Sequence, residues 1–483
     1  MGVQSSTEIS QTARTLGARF ADLITPTLRL GVTGLARSGK TVFITALVRN
    51  LISGSRLPFF APMAEGRIKR AYLEPQPDDS VPRFAYEEHL AELAKDPPQW
   101  PESTRRISQL RVTIEYESAR AWRRALLPGR MQLDIVDYPG EWLVDLPMLD
   151  RDFATWSVHA LAEAKRRGRL PAAMSWLEAC DGLDPNAPAD EQAALRGAAA
   201  FTRYLEAARS ADPAWASPGP GRFLLPGDLE GSPLLTFFPL PARGADYPHG
   251  SLGAMLARRY ESYKDYVVKP FFRDHFARLD HQIVLVDALS AVNGGWVAIE
   301  DLERTLTGVL SAFKPGRNSW LHHIMMSRKV DRIVFAATKA DHLHHANHDR
   351  LENILRYLAG RAIERAEFSE ANVKVLAIAA LRATREAEAK AGGETLPCIV
   401  GTPLPGERVG GTLFDGRQEA AVFPGDLPDE VLKLSTGGGS AAVRFVRFRP
   451  PRLREDSGGE APHTWPHIRL DRAMEFLLGD RLG

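Results

Sequence analysis

Cysteine is nearly missing from this chain. Only Cys180 and Cys398 occur among 483 residues, and neither lies in a CxxC or other metal-spaced pattern. That excludes a disulfide-stapled scaffold and a structural zinc site, and it fits a reducing compartment. No run approaches the roughly twenty apolar residues that a bilayer-spanning helix needs. The N-terminal stretch lacks a basic segment followed by a continuous apolar one, so no secretory signal is expected. A charge excess is also missing: 61 Lys+Arg face 60 Asp+Glu, a formal charge of +1. No dedicated nucleic-acid binder is expected from such a balance. Lysine is scarce, 12 residues against 49 arginines, which points to compositional bias rather than a phosphate-binding surface.

What is present is ordinary globular composition, with 44% hydrophobic residues and a length that suggests about three units. Helical spacing of Ile9, Leu16, Phe20, Leu23 and Ile24 predicts a leading helix within residues 1–27. A short strand at 28–32 then runs through a Gly-containing turn into a helix over 40–52. Residues 54–104 are Pro-rich and irregular apart from a helix over 85–95. Strands are expected at 107–115 and 131–137, followed by helical insertions between 141 and 209. Long Pro/Gly loops occupy 213–250, and a helix covers 251–276. Strands at 282–287, 332–338 and 373–379 alternate with helices at 294–312, 345–367 and 380–391. Such alternation predicts an α/β fold with a mainly parallel sheet. Its core would span 28–150 and 276–391, with 151–275 inserted between. Residues 392–483 are expected to form a small β-rich appendage and a C-terminal helix.

Three motifs sit at successive strand ends. Gly34-Leu35-Ala36-Arg37-Ser38-Gly39-Lys40-Thr41 fits GxxxxGK[ST], placed between a strand and a helix as the P-loop mechanism demands. The glycines let backbone N–H groups approach a β-phosphate, and the helix N-terminus adds partial positive charge. Lys40 would bridge β- and γ-phosphates, and the Thr41 hydroxyl would coordinate Mg2+. Asp137-Tyr138-Pro139-Gly140 is a DxxG element whose Asp137 would hold Mg2+ through water while the Gly140 N–H senses a γ-phosphate. Asp287 closes a similar strand, but no glycine follows at the required spacing. Thr338-Lys339-Ala340-Asp341 has the TKxD form. Its carboxylate would accept both the N1–H and N2–H2 of guanine, a donor pair that adenine lacks, while Lys339 packs along the base. Ala379-Ala380-Leu381 is placed to offer the Ala380 N–H to the base.

The segments GVTGLARSGKTVFITALVRNL, LDIVDYPGEW, TKADHLHHANHDRL and AIAALRATRE together resemble the YcjX-like family of bacterial P-loop GTPases. The resemblance implies a G domain with large insertions, GTP and GDP binding with Mg2+, and slow hydrolysis. It also implies a stress-associated cytoplasmic protein, at most peripheral to the inner membrane, with a membrane-protein partner and an unknown protein effector or activator as further expectations.

The switch residues leave alternatives open. Thr104 lies where a G domain places the switch threonine that reaches Mg2+; Trp100 would shield the nucleotide, and Ser103 and Arg105 would touch ribose or phosphates. The other reading of all four is a solvated loop before a strand. Glu141 stands where many GTPases carry a water-orienting Gln; it would either position the water or merely cap the switch helix. Arg37 would supply positive charge in cis or pair with an insertion carboxylate. The His342-to-His348 cluster offers His344 and His348 on one helix face, yet no acid or Cys is obviously placed to complete a zinc site, so partly exposed histidines at a helix start are expected. His342 would touch the base or its loop. The leading function is a slow regulatory GTPase. Alternatives are a dynamin-like membrane remodeller, which needs a long stalk and lipid-binding tip, a small-molecule kinase, and a non-hydrolysing scaffold.

Overall fold

The computed structural model describes residues 25–35, 37–76, 78–119, 129–211, 219–241, 247–311, 330–368, 370–391, 394–409, 411–431, 444–453 and 464–483. The expected N-terminal helix and Ala36 of the P-loop lie outside them.

Seven strands form the central sheet: β1 (Thr27–Gly34), β2 (Ile68–Glu74), β3 (Ser108–Tyr116), β4 (Gly129–Asp137), β5 (His281–Val286), β6 (Arg332–Ala337) and β7 (Asn372–Ala377). Their spatial order is β2-β3-β4-β1-β5-β6-β7. Strands β4, β1, β5, β6 and β7 run parallel, and β3 lies antiparallel to both β4 and β2. Every residue of β5 is buried, as a strand covered on both faces requires. The period-two pattern divides β5 between two cores: Ile283 and Leu285 face one side, Val284 and Val286 the other.

On the first face, α1 (Lys40–Ile52) contributes Phe43, Leu47 and Leu51, with α2 (Tyr86–Ala94) packing Tyr86 and Leu93 nearby. The second face carries the insertion: α3 (Phe153–Arg166), α4 (Pro171–Asp181), α5 (Glu191–Ala211) and α6 (Leu252–Tyr263). There Trp156 is fully buried, stacks on Tyr260 at 5.0 Å and meets Phe237 and Phe201 edge-on. The insertion therefore shares one core with α7 (Trp296–Ser311) and α8 (His348–Phe368), and none of its described helices projects as a stalk. The helix expected over 251–276 is interrupted: a π-turn, Lys264–Val268, separates α6 from a short helix, Lys269–Asp274. No described helix is long and apolar enough to cross a membrane.

Two expectations require correction. The segment 380–391, read as helix, contains β8 (Arg385–Ala391), which pairs antiparallel with β9 (Glu394–Gly401). The run Glu386-Ala387-Glu388-Ala389-Lys390 has helix-forming residues but alternates charged and small, and a β partner overrides propensity. After the two-residue β10 (Arg408–Val409) and β11 (Thr412–Leu413), β12 (Ala420–Val422) completes the sheet order β12-β9-β8. The C-terminal helix α9 (Leu470–Leu478) was expected with the appendage. Instead Leu470, Ala473, Met474 and Leu477 join the first core of the main sheet, where the helix packs on β6.

Candidate nucleotide-binding site

The P-loop hangs between the end of β1 and the start of α1. Arg37 (φ 62°) and Gly39 (φ 89°) both take the left-handed conformation that reverses the chain there. A Cβ at Gly34 would stand 2.4 Å from Ser38 Oγ and 2.6 Å from the Leu285 carbonyl oxygen, so only glycine fits. Lys40 Nζ donates to the Gly34 carbonyl at 2.9 Å. Burial pushes the Lys40 ammonium down, against the opposing pull of the Asp137 and Glu141 carboxylates. A buried cation with one carbonyl partner suits an incoming phosphate.

Thr41, Thr104 and Asp137 converge beneath this loop. Thr104 Oγ1 donates to Asp137 Oδ2 at 2.5 Å and lies 3.5 Å from Thr41 Oγ1. The residue read from the sequence as the switch threonine is thus brought to the two other candidate Mg2+ ligands. Burial raises the Asp137 carboxyl to about 6, although Lys40 and the Thr104 hydroxyl pull it down. Asp137 Oδ1 and Ser38 Oγ are buried without a hydrogen-bond partner. Orphaned buried oxygens beside a hydroxyl pair fit a hard cation and a phosphate.

Lys339 and Asp341 follow β6. Lys339 (φ 61°) is held by an ion pair with Asp287, whose carboxylate also caps the short helix Ala288–Asn293 through Ser290 N at 3.1 Å. Asp287 therefore positions a site lysine, a role its own segment does not announce. Asp341 is 4% exposed; its Oδ2 accepts from Ala383 N at 2.8 Å and its carbonyl from the Thr384 hydroxyl. A cavity of about 380 Å3 is lined by Lys40, Thr41, Trp100, Ser103, Thr104, Lys339, Asp341, His342 and Ala380. Arg105 is not among its lining residues and instead pairs at the surface with Glu102, 3.2 Å away. The appendage forms part of this wall: Trp100 Nε1 donates to the Phe448 carbonyl at 2.7 Å, and the Phe448 ring meets His342 edge-on at 5.3 Å. Leu404, Arg447 and Phe448 line the cavity too, and no sequence signal near them marked that role.

A second cavity of about 720 Å3 shares Arg37 with the first and is lined by Gly140, Glu141, Arg209, Asp287, Lys339 and Arg447 among others. Among the described residues no carboxylate pairs with Arg37. Glu141, in the short helix Gly140–Leu143, lies 3.4 Å from the Arg209 guanidinium. His344 and His348 do not share a helix face. His348 is buried with Nε2 2.9 Å from the Ala340 carbonyl, whereas His344 and His345 face Glu386 of β8, at 3.7 and 2.7 Å. An acid is therefore placed beside two of these histidines after all.

Asp145, just past the switch helix, accepts from Gly221 N and from Tyr263 Oη, each at 2.6 Å. Burial lifts its carboxyl from 3.8 to about 7. The folded state thus binds a proton that the unfolded chain releases between those values. Its contribution to stability is complete below about pH 4 and is lost as pH rises through 7, with a ceiling of about 4 kcal/mol. Asp145→Asn should flatten this part of the pH–stability curve. Thermal unfolding between pH 5 and 8 checks it, and an unaltered slope in the variant would disprove the assignment.

Comparison with known proteins identifies relatives of the chain. The family model described as "YcjX-like family, DUF463" matches residues 28–482. A protein of Escherichia coli (strain K12) named "Ras-like GTPase YcjX" is 38% identical over 467 residues, 94% of this chain and 96% of the relative. One of the same name from Shewanella oneidensis is 34% identical over 496 residues, 98% of each chain. A solved structure titled "Signal recognition particle receptor SRb-GTP/SRX complex from Chaetomium thermophilum" covers 76% of this chain and 95% of its own, at 11% identity and a TM-score of 0.26. With a mainly parallel sheet carrying the motifs at its strand ends and the family model spanning almost its whole length, the chain belongs to the YcjX-like family.

Proposed function

We propose that the protein binds GTP and GDP with Mg2+ and hydrolyses GTP slowly as a regulatory switch. The observation that carries this is the meeting of Thr41, Thr104 and Asp137 beneath the P-loop, with Asp341 across the same cavity. The relatives' name, Ras-like GTPase, supports the same activity. Asp341 would take the two guanine donors, and Lys339, steadied by Asp287, would cover the base. Lys40 would neutralise charge building on the transferred phosphoryl group, with the P-loop N–H groups donating to the β-phosphate. Thr41, Thr104 and Asp137 would hold Mg2+, which supplies further charge neutralisation between the β- and γ-phosphates. Glu141 would orient the attacking water. A carboxylate there, tied to Arg209, is less free than the usual Gln, which supports a slow reaction.

Calorimetric titration with GDP and GTP, with and without Mg2+, and phosphate release under single-turnover conditions test the reading. Submicromolar guanine-nucleotide binding that ATP fails to displace is expected. Displacement by ATP would favour a kinase-like use of the P-loop.

A further inference from the structure

The insertion grips the segment after DxxG at four points. Arg222 stacks over the Trp142 ring at 3.2 Å, and Trp142 Nε1 donates to the Leu225 carbonyl at 3.2 Å. Gly221 lies so close that a Cβ there would stand 1.7 Å from the Glu141 carbonyl oxygen. Gly221 N and Tyr263 Oη hold Asp145. The fourth contact is electrostatic: Arg209, in the last turn of α5, meets the Glu141 carboxylate, whose side chain is 13% exposed. Both line the cavity that also holds Arg37 and Gly140, where the proposed site would put a γ-phosphate. Glu141 also lines the nucleotide cavity together with Lys40.

A carboxylate in this place opposes binding of a γ-phosphate, because like charges in a partly buried site repel. The β-phosphate of GDP, cradled by the P-loop as proposed, would lie farther away, so the penalty would fall chiefly on the triphosphate. We propose that Arg209 is a positioning residue that neutralises Glu141, making the insertion a sensor of the γ-phosphate. With Arg209 in place, Glu141 is oriented toward the cavity and its charge is spent on the guanidinium. Removal of Arg209 exposes the carboxylate to the triphosphate and uncouples α5 from the switch helix. This inference rests on the proposed guanine-nucleotide site and deepens it.

The test compares affinities for GDP and for β,γ-imido GTP, with Mg2+, in the full chain. Arg209→Ala should weaken the triphosphate analogue about tenfold while leaving GDP unchanged. Adding Glu141→Gln to that variant should restore the analogue, since the repelling charge is gone, and Arg209→Lys should stay near wild type. A merely structural role for Arg209 would not be rescued by removing its partner's charge. The inference is overturned if Arg209→Ala keeps the wild-type ratio of the two affinities, or if the double variant stays as weak as the single one. Should Arg209→Ala not fold, Glu141→Gln alone serves: it must bind the analogue at least as tightly as wild type, and weaker binding overturns the proposal. A wild-type chain that binds neither nucleotide would remove the proposed function and this inference together, and the GDP arm tells that result from the others.

Discussion

Replacing Asp341 by asparagine is expected to lower GDP affinity by about a hundredfold or more and to turn the site toward xanthine nucleotides. Two charge-assisted hydrogen bonds from one carboxylate to guanine N1–H and N2–H2 are at stake, each contributing roughly 1.5–3 kcal/mol. The structure holds this carboxylate firmly for the task. It is buried at the end of β6, with Ala383 N on Oδ2 and the Thr384 hydroxyl on its carbonyl. Asparagine keeps one acceptor and presents an amide N–H2 where guanine also presents donors, so donor faces donor. Xanthine carries a carbonyl at that carbon and accepts the new N–H2 instead. The asparagine oxygen must also choose between Ala383 N–H and the base, so a small loss of thermal stability accompanies the switch. Calorimetry with GDP, XDP and ADP decides the matter; unchanged GDP binding in the variant would show that Asp341 does not read the base.

What could be read from the sequence alone follows from where the signals lie. Parallel strands buried on both faces leave continuous apolar runs, and each motif starts at the end of such a run, so the sequence alone could single out Lys40, Asp137 and Asp341. Thr104 could be singled out because the switch threonine precedes the strand before DxxG, and the structure sets its hydroxyl against Asp137. Arg105, equally near in sequence, points to Glu102 at the surface. The contacts that escaped are long-range and side-chain specific. Asp287 steadies Lys339 from another strand end, Trp100 meets Phe448 across most of the chain, and Arg209 reaches Glu141 from the insertion. No local period or composition encodes such pairs. Strand β2 escaped for another reason: at the sheet edge, only Ala71 of its seven residues is buried, so the alternation that marks a half-buried strand is too faint.

A methyl group at Gly140 is expected to damage the switch severely. A Cβ there would lie 2.3 Å from the Gly34 carbonyl oxygen and 2.7 Å from Leu35 Cα, backbone atoms of the P-loop itself. No side chain can swing aside to relieve the contact. Either the DxxG segment backs away or the P-loop shifts, and Gly34 is itself fixed by close approach to Leu285. Overpacking of this kind costs about 3 kcal/mol, at about 1 °C of Tm per kcal/mol in a chain of this size. The functional effect is larger than the thermal one. Retreat of Gly140 would take its N–H away from a γ-phosphate bound as proposed and carry Glu141 with it, so β,γ-imido GTP should weaken far more than GDP. Gly360 is the matched control. It sits within α8, and a methyl added there would meet no atom within 4 Å, so Gly360→Ala should raise stability by about 1 kcal/mol, as alanine does inside a helix. Opposite signs for two glycine-to-alanine changes in one protein separate close approach from backbone entropy. If Gly140→Ala instead matched Gly360→Ala in both Tm and nucleotide preference, the tight seat of DxxG on the P-loop would be wrong, and with it the route by which a γ-phosphate moves the insertion.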